Sequence, residues 1–131
     1  MTKLFNDKEI FGEDDIIYSY TREEAIEDGL QFQIPLELTK EAGYIYPVYC
    51  TDSVNQIIDN ALISNKMLDR TGILWDVLAT LKIAIRLMVE SPEVKFHTII
   101  NGKDYEFFSQ VSALDIDDPK PAITIMRVED L

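Results

Sequence analysis

The sequence holds one cysteine, Cys50, and one histidine, His97, in 131 residues. A lone thiol closes no intrachain disulfide. With a single histidine beside it, neither a Cys-rich zinc site nor a multi-histidine metal centre can be built. Folding without disulfides at this length fits a reducing, cytoplasmic setting. Basic residues are also scarce: Lys+Arg 12 stand against Asp+Glu 24, a formal net charge of −12. That balance argues against direct nucleic-acid binding and against an anionic membrane as partner. Long apolar runs are missing too. The most apolar stretch, 73–89, is interrupted by Asp76, Lys82 and Arg86. Each charge costs about 3 kcal/mol at a membrane centre, so no spanning helix is expected. Residues 1–15 carry charges and no apolar core, so they do not read as a secretory signal.

Catalytic signatures are absent as well. There is no Gly-rich phosphate loop, no G-x-G-x-x-G, no H-E-x-x-H and no G-x-S-x-G. The run Asp115-Ile116-Asp117-Asp118 resembles the start of a calcium loop, but Lys120 and Met126 occupy the positions that need glycine and a carboxylate. Cys50 and His97 form no local nucleophile pattern, and Cys50 reads as a small apolar core residue. No catalytic residue, cofactor or metal site is therefore assigned from the sequence.

What is present is an ordinary globular balance, with 47% hydrophobic and 27% charged residues, which argues against general disorder. The expected organisation is a flexible acidic arm over 1–14 and one domain over 15–131. The acidity is uneven. Residues 1–30 hold nine acidic and three basic residues, 101–131 hold seven and three, and 61–100 hold four and five. Acidic ends flank a neutral, apolar middle.

Local signals predict the elements. Asp15–Tyr20 reads as a short strand. Thr21-Arg22-Glu23-Glu24 is a capping box, and Gly29 sits where a terminating glycine belongs, so a helix is expected over Arg22–Asp28. Gln31–Ile34 reads as extended, Leu38–Ala42 as one helical turn, and Tyr44–Pro47 as a turn. Ser53-Val54-Asn55-Gln56 reads as a second capping box. It opens an amphipathic helix over 53–64, with Val54, Ile57, Ile58, Ala61 and Leu62 on one face. A longer helix is expected from Thr71 to Glu90, with an apolar arc wide enough to be covered on several sides. Asn101-Gly102 is a strong hairpin signal between Val94–Ile100 and Tyr105–Val111. Its two-residue turn pairs Phe96 with Phe107, Thr98 with Tyr105 and His97 with Glu106. Asp115–Lys120 reads as an acidic turn and Ala122–Val128 as a third strand. The expected class is α+β: a three- or four-stranded antiparallel sheet, including a C-terminal meander, packed on two main helices.

Two constellations stand out as candidate interaction sites. The first is Tyr20, Arg22, Glu23, Glu24, Glu27 and Asp28. Arg22 is the only basic residue between Lys8 and Lys40, and it is expected to be held by carboxylates, Asp76 among them. The second is Trp75 with Asp76. Trp75 falls on the flank of its helix that carries Lys82 and Arg86, where it suits an aromatic anchor.

These same segments carry a resemblance. Asp15 and Ile16 through Tyr20-Thr21-Arg22 to Asp28-Gly29 form the first. Ala42-Gly43-Tyr44-Ile45-Tyr46-Pro47-Val48 is the second, Arg70 to Leu74-Trp75-Asp76-Val77-Leu78 the third, and Ile123-Thr124-Ile125-Met126 the last. In this order they resemble an uncharacterised family of small proteins encoded by bacteria, archaea, phages and plasmids. The chain departs from the pattern with Thr71-Gly72-Ile73 between Arg70 and Leu74, and with Tyr49-Cys50 after Val48. The resemblance implies a mobile-element setting and no mechanism. The leading functional expectation is a non-enzymatic accessory protein that binds a host protein with a basic surface. The alternatives are an enzyme using Arg22 with Asp76 or Glu24 on a small substrate, and a homodimer formed through Trp75 and Tyr44–Tyr49.

Overall fold

The structure is a computed structural model and describes residues 20–87 and 91–128. The arm expected over 1–14, all but Tyr20 of the strand expected over Asp15–Tyr20, and residues 88–90 of the helix expected to reach Glu90 lie outside the described residues, and Tyr20 is not in a strand.

The elements run α1 (Arg22–Glu27), β1 (Gln31–Gln33), α2 (Leu36–Glu41), β2 (Val48–Thr51), α3 (Asp52–Ser64), α4 (Arg70–Leu87), β3 (Glu93–Ile100), β4 (Lys103–Asp115) and β5 (Asp118–Arg127). The fold is α+β, with a C-terminal antiparallel meander. The sheet, however, has five strands rather than three or four, and it is mixed. Its order is β1-β2-β5-β4-β3, and β2 runs parallel to β5 while the other neighbours are antiparallel. The physical reason is a long-range pairing without a turn to announce it. Val48, Tyr49 and Cys50 add to the free edge of β5 opposite Ile123, Thr124 and Ile125, and β1 then pairs on the outside.

The β3–β4 hairpin turns on Asn101 and Gly102, both with positive φ (52° and 79°), as a tight two-residue turn of this hand requires. Its register pairs Phe96 with Phe107, His97 with Glu106 and Thr98 with Tyr105. Alternation then buries Val94, Phe96, Thr98 and Ile100 and exposes Glu93, Lys95, His97 and Ile99. The buried Thr98 hydroxyl is satisfied by Thr80 of α4 at 2.6 Å. The acidic turn after β4 is tighter than its sequence suggests. Asp115 pairs with Asp118, so only Ile116 and Asp117 form the turn, and Asp118–Lys120 already belong to β5.

Three helix boundaries shift. α2 starts at Leu36, directly after Pro35, whose fixed φ suits a helix start. α3 starts at Asp52 with Thr51 as N-cap, because β2 runs straight into it. The second capping box is not formed, and Gln56 instead donates to Asp52 Oδ2 at 2.8 Å. α1 ends at Glu27, with Asp28 as C-cap and Gly29 at φ 78°.

One face of the sheet (Val48, Cys50, Phe96, Phe107, Ile123, Ile125) packs on Val54, Ile57 and Ile58 of α3 and on Ile73, Leu74, Val77, Leu78 and Leu81 of α4. Among the described residues, α4 is not covered on several sides. Its buried positions form one stripe, and Trp75, Ile83 and Leu87 remain exposed. No helix among the described residues is long and apolar enough to cross a membrane.

Candidate interaction site

α1 lies on the sheet face away from α3 and α4. Tyr49 and Thr124 alternate with the core residues Cys50 and Ile125, so they point to the other face. Arg22 covers them. Its Nε donates to Leu114 O at 2.6 Å, and Nη1 donates to Gln31 Oε1 and Thr124 Oγ1 at 3.0 Å each. The guanidinium stands 4.3 Å above the Tyr49 ring, a cation–π contact to β2 that, with the hydrogen bonds to β1, β4 and β5, fastens α1 to the sheet. Partial burial lowers the Arg22 pKa, opposed by Tyr49 and Asp115. The expected link to Asp76 is not made. Arg22 is held by carbonyl, amide and hydroxyl oxygens, and Asp76 sits on α4, in a different cleft.

The first turn of α1 is closed twice. Glu24 N donates to Thr21 Oγ1 and Thr21 N to Glu24 Oε1, both at 3.0 Å, which completes the capping box. From the far end of the chain, Asp115 accepts from the backbone N–H of Arg22 (3.0 Å), Glu23 (3.2 Å) and Ile116 (2.8 Å). The Ile116 N–H is the main cause that holds the Asp115 carboxyl below its ordinary range. Desolvation opposes it, and the N–H groups of Arg22 and Glu23 and the Arg22 charge add to it. The Tyr20 hydroxyl donates to Asp28 Oδ2. That bond is the largest cause raising the Tyr20 pKa to about 12.

These contacts gather two sequence-remote acidic segments. Glu23, Glu24 and Glu27 of α1 and its C-cap Asp28 stand beside Asp115, Asp117 and Asp118 at the β4–β5 turn. Their roles differ. Tyr20, Arg22, Glu24, Asp28 and Asp115 hold the local structure together. Glu23 and Glu27 are exposed, as is Asp117, and none of the three makes a side-chain hydrogen bond or ion pair to another described residue. In the sequence the 115–118 run reads as an incomplete calcium loop within an acidic turn. Its place beside α1 had no local signal.

Trp75 and Asp76 lie across the sheet from α1, on the exposed side of α4. Trp75 is 41% exposed and Met67 91%. With Leu38 and Leu68 they border an open cleft of about 700 Å³, whose rim carries Glu41, Asp69 and Asp76. Asp69 accepts from Gly72 N at 3.2 Å at the start of α4. On the other side of Trp75 stand Lys82 and Arg86, the flank expected from the sequence. The departure Thr71-Gly72-Ile73 falls in the first turn of α4 and contributes Ile73 to the core.

Cys50 and His97 are separated by the sheet. Cys50 is fully buried on the helix-bearing side, where desolvation pushes its thiol pKa up. His97 is exposed on the opposite side, 3.2 Å from Asp104 and 3.8 Å from Glu106. No three His, Cys, Asp or Glu among the described residues are grouped to hold a metal ion. No family model, curated protein or solved structure matches the chain.

Proposed function

We propose that the protein is a non-enzymatic accessory protein of a phage, plasmid or related element, and that it binds a basic surface on a host protein through the acidic end formed by α1 and the β4–β5 turn. The observation that supports this reading is the convergence of carboxylates from residues 23–28 and 115–118, with Glu23, Glu27 and Asp117 free of partners among the described residues. The genetic setting rests on the resemblance of the four sequence segments. An acidic face of this kind speeds encounter with a basic groove and competes with phosphate for the same Lys and Arg side chains. The enzyme alternative loses ground on geometry. Arg22 has its Nε and Nη1 donors engaged internally and Asp115 beside it, so it makes a poor anion clamp, and Asp76 is remote from it.

The test is affinity capture from host lysate with wild type and with the variant Glu23→Gln/Glu27→Gln/Asp117→Asn, at low and high salt, read by mass spectrometry. A basic protein retained by wild type, and lost both at high salt and with the variant, supports the reading. Equal capture by the two forms, or no salt-sensitive partner, refutes it. A second reading, homodimerisation, draws on the exposed Trp75, which has carboxylates on one side and Lys82 and Arg86 on the other. A concentration-dependent rise in sedimentation coefficient that Trp75→Ser abolishes would support it.

A further inference from the structure

The loop Gly43–Tyr46, the C-terminal half of α4 and the helix-bearing side of the sheet enclose a cavity of about 300 Å³. Its walls are mainly apolar, formed by Tyr44, Ile85, Val94, Val111 and Ile123. Two cations, Lys82 and Arg86, border it from one face of α4, one helical turn apart. No aspartate or glutamate is among its described lining residues, in a chain that carries 24 of them. Neither cation makes an ion pair with another described residue. Buried Ser109, 3% exposed, also borders the cavity, and its hydroxyl has only a long 3.5 Å contact to Val94 O. Its oxygen keeps capacity for a better partner.

The position of Lys82 is built in. Its ammonium donates to Ala42 O at 2.9 Å, at the end of α2. Gly43 makes room for it: a Cβ there would stand 2.5 Å from Nζ, at a φ of 93° that side chains rarely adopt. Apolar side chains surround the opening, with Ile45 86% exposed. A small apolar chamber edged by a held Lys82 and an exposed Arg86 is complementary to one ligand chemistry: a hydrocarbon or aromatic body carrying a single carboxylate.

We propose that this cavity binds an apolar carboxylate, with the body against Tyr44, Ile85, Val111 and Ile123 and the carboxylate paired with Arg86 and Lys82. The site is separate from the acidic end and stands or falls independently of it. The experiment titrates the full chain with octanoate and with hydrocinnamate by calorimetry, with octanamide as the uncharged control. The expected result is saturable one-to-one binding of at least one carboxylate, weakened about tenfold by Arg86→Gln through loss of a charge-assisted hydrogen bond. Octanamide binds more weakly and is insensitive to that change. Val111→Trp, which fills the chamber from β4, removes binding while circular dichroism stays that of wild type. If Val111→Trp fails to fold, Ile85→Phe serves the same purpose from α4. No saturable binding of either carboxylate, equal binding of octanoate and octanamide, or carboxylate affinity unchanged in a folded Arg86→Gln would overturn the assignment.

Discussion

Two regions of the molecule, the α1 end and the cavity beside Gly43–Tyr46, use charge in opposite ways. Beside α1, carboxylates are dense. Some close the local structure, as Asp115 does on the backbone of Arg22 and Glu23, and others, such as Glu23, Glu27 and Asp117, are left to solvent. On the helix-bearing face, around Gly43–Tyr46, the described cavity wall has no carboxylate and two neighbouring cations. The net charge of −12 is therefore not a uniform coat. The acidic end suits long-range attraction, and the apolar cavity suits close contact.

The largest expected effect lies where the acidic end is fastened. Arg22→Ala leaves Gln31 Oε1, Leu114 O and Thr124 Oγ1 without their donor and uncovers Tyr49. Charge-assisted hydrogen bonds of this kind predict a loss of about 2–3 kcal/mol, read as a lower urea midpoint. A midpoint equal to wild type would mean that Arg22 does not fasten α1.

The next effect sharpens the other face. Gly43→Ala strains a residue at positive φ and makes the flexible end of Lys82 swing away from Ala42 O. A cost of about 1–2 kcal/mol is expected, measured as a lower Tm. Lys82→Met in the same background should recover part of it by removing the clash, and no recovery would show that backbone strain alone is responsible.

The smallest effect concerns pH. The folded pKa of Asp115 is depressed, chiefly by the Ile116 N–H. A depressed carboxylate contributes stability above its unfolded value of about 3.9 and loses it as pH falls through the lower folded value. The Asp115 contribution is thus intact at neutral pH and disappears in acid, below about pH 4. Asp115→Asn should flatten the acid limb of stability against pH and leave the limb above neutrality unchanged. An acid limb identical to wild type would remove Asp115 from the account.

The elements most legible in the sequence are those whose chemistry is local. Asn101-Gly102 set the β3–β4 register because its turn requires two positive φ angles, and alternation then chose the buried face. Thr21 with Glu24, and Gly29, bounded α1 to within a residue. What escaped was non-local. β2 joins β5 in parallel with no turn between them, so β1 and β2 carried no hairpin signal. The wide apolar arc of α4 implied more cover than the fold supplies, which left Trp75, Ile83 and Leu87 exposed. The candidate site was legible in part. Glu23, Glu24 and Glu27 share one short helix, as expected, and Asp28 caps its C-terminus. The partners of Arg22 lie up to 102 residues away, and no spacing rule points to them.

The most direct measurement of the central claim is the association rate of a captured basic partner with wild type and with Glu23→Gln/Glu27→Gln/Asp117→Asn, across a salt series. Surface substitutions without internal partners should change stability by no more than about 0.5 kcal/mol, so any kinetic difference reports on encounter. Association of wild type should slow steeply as the Debye length falls from about 10 Å at 0.1 M salt to about 3 Å at 1 M. The variant should associate more slowly at low salt and converge with wild type at high salt. Equal association rates for the two forms at low salt would contradict the acidic end as the partner-facing surface.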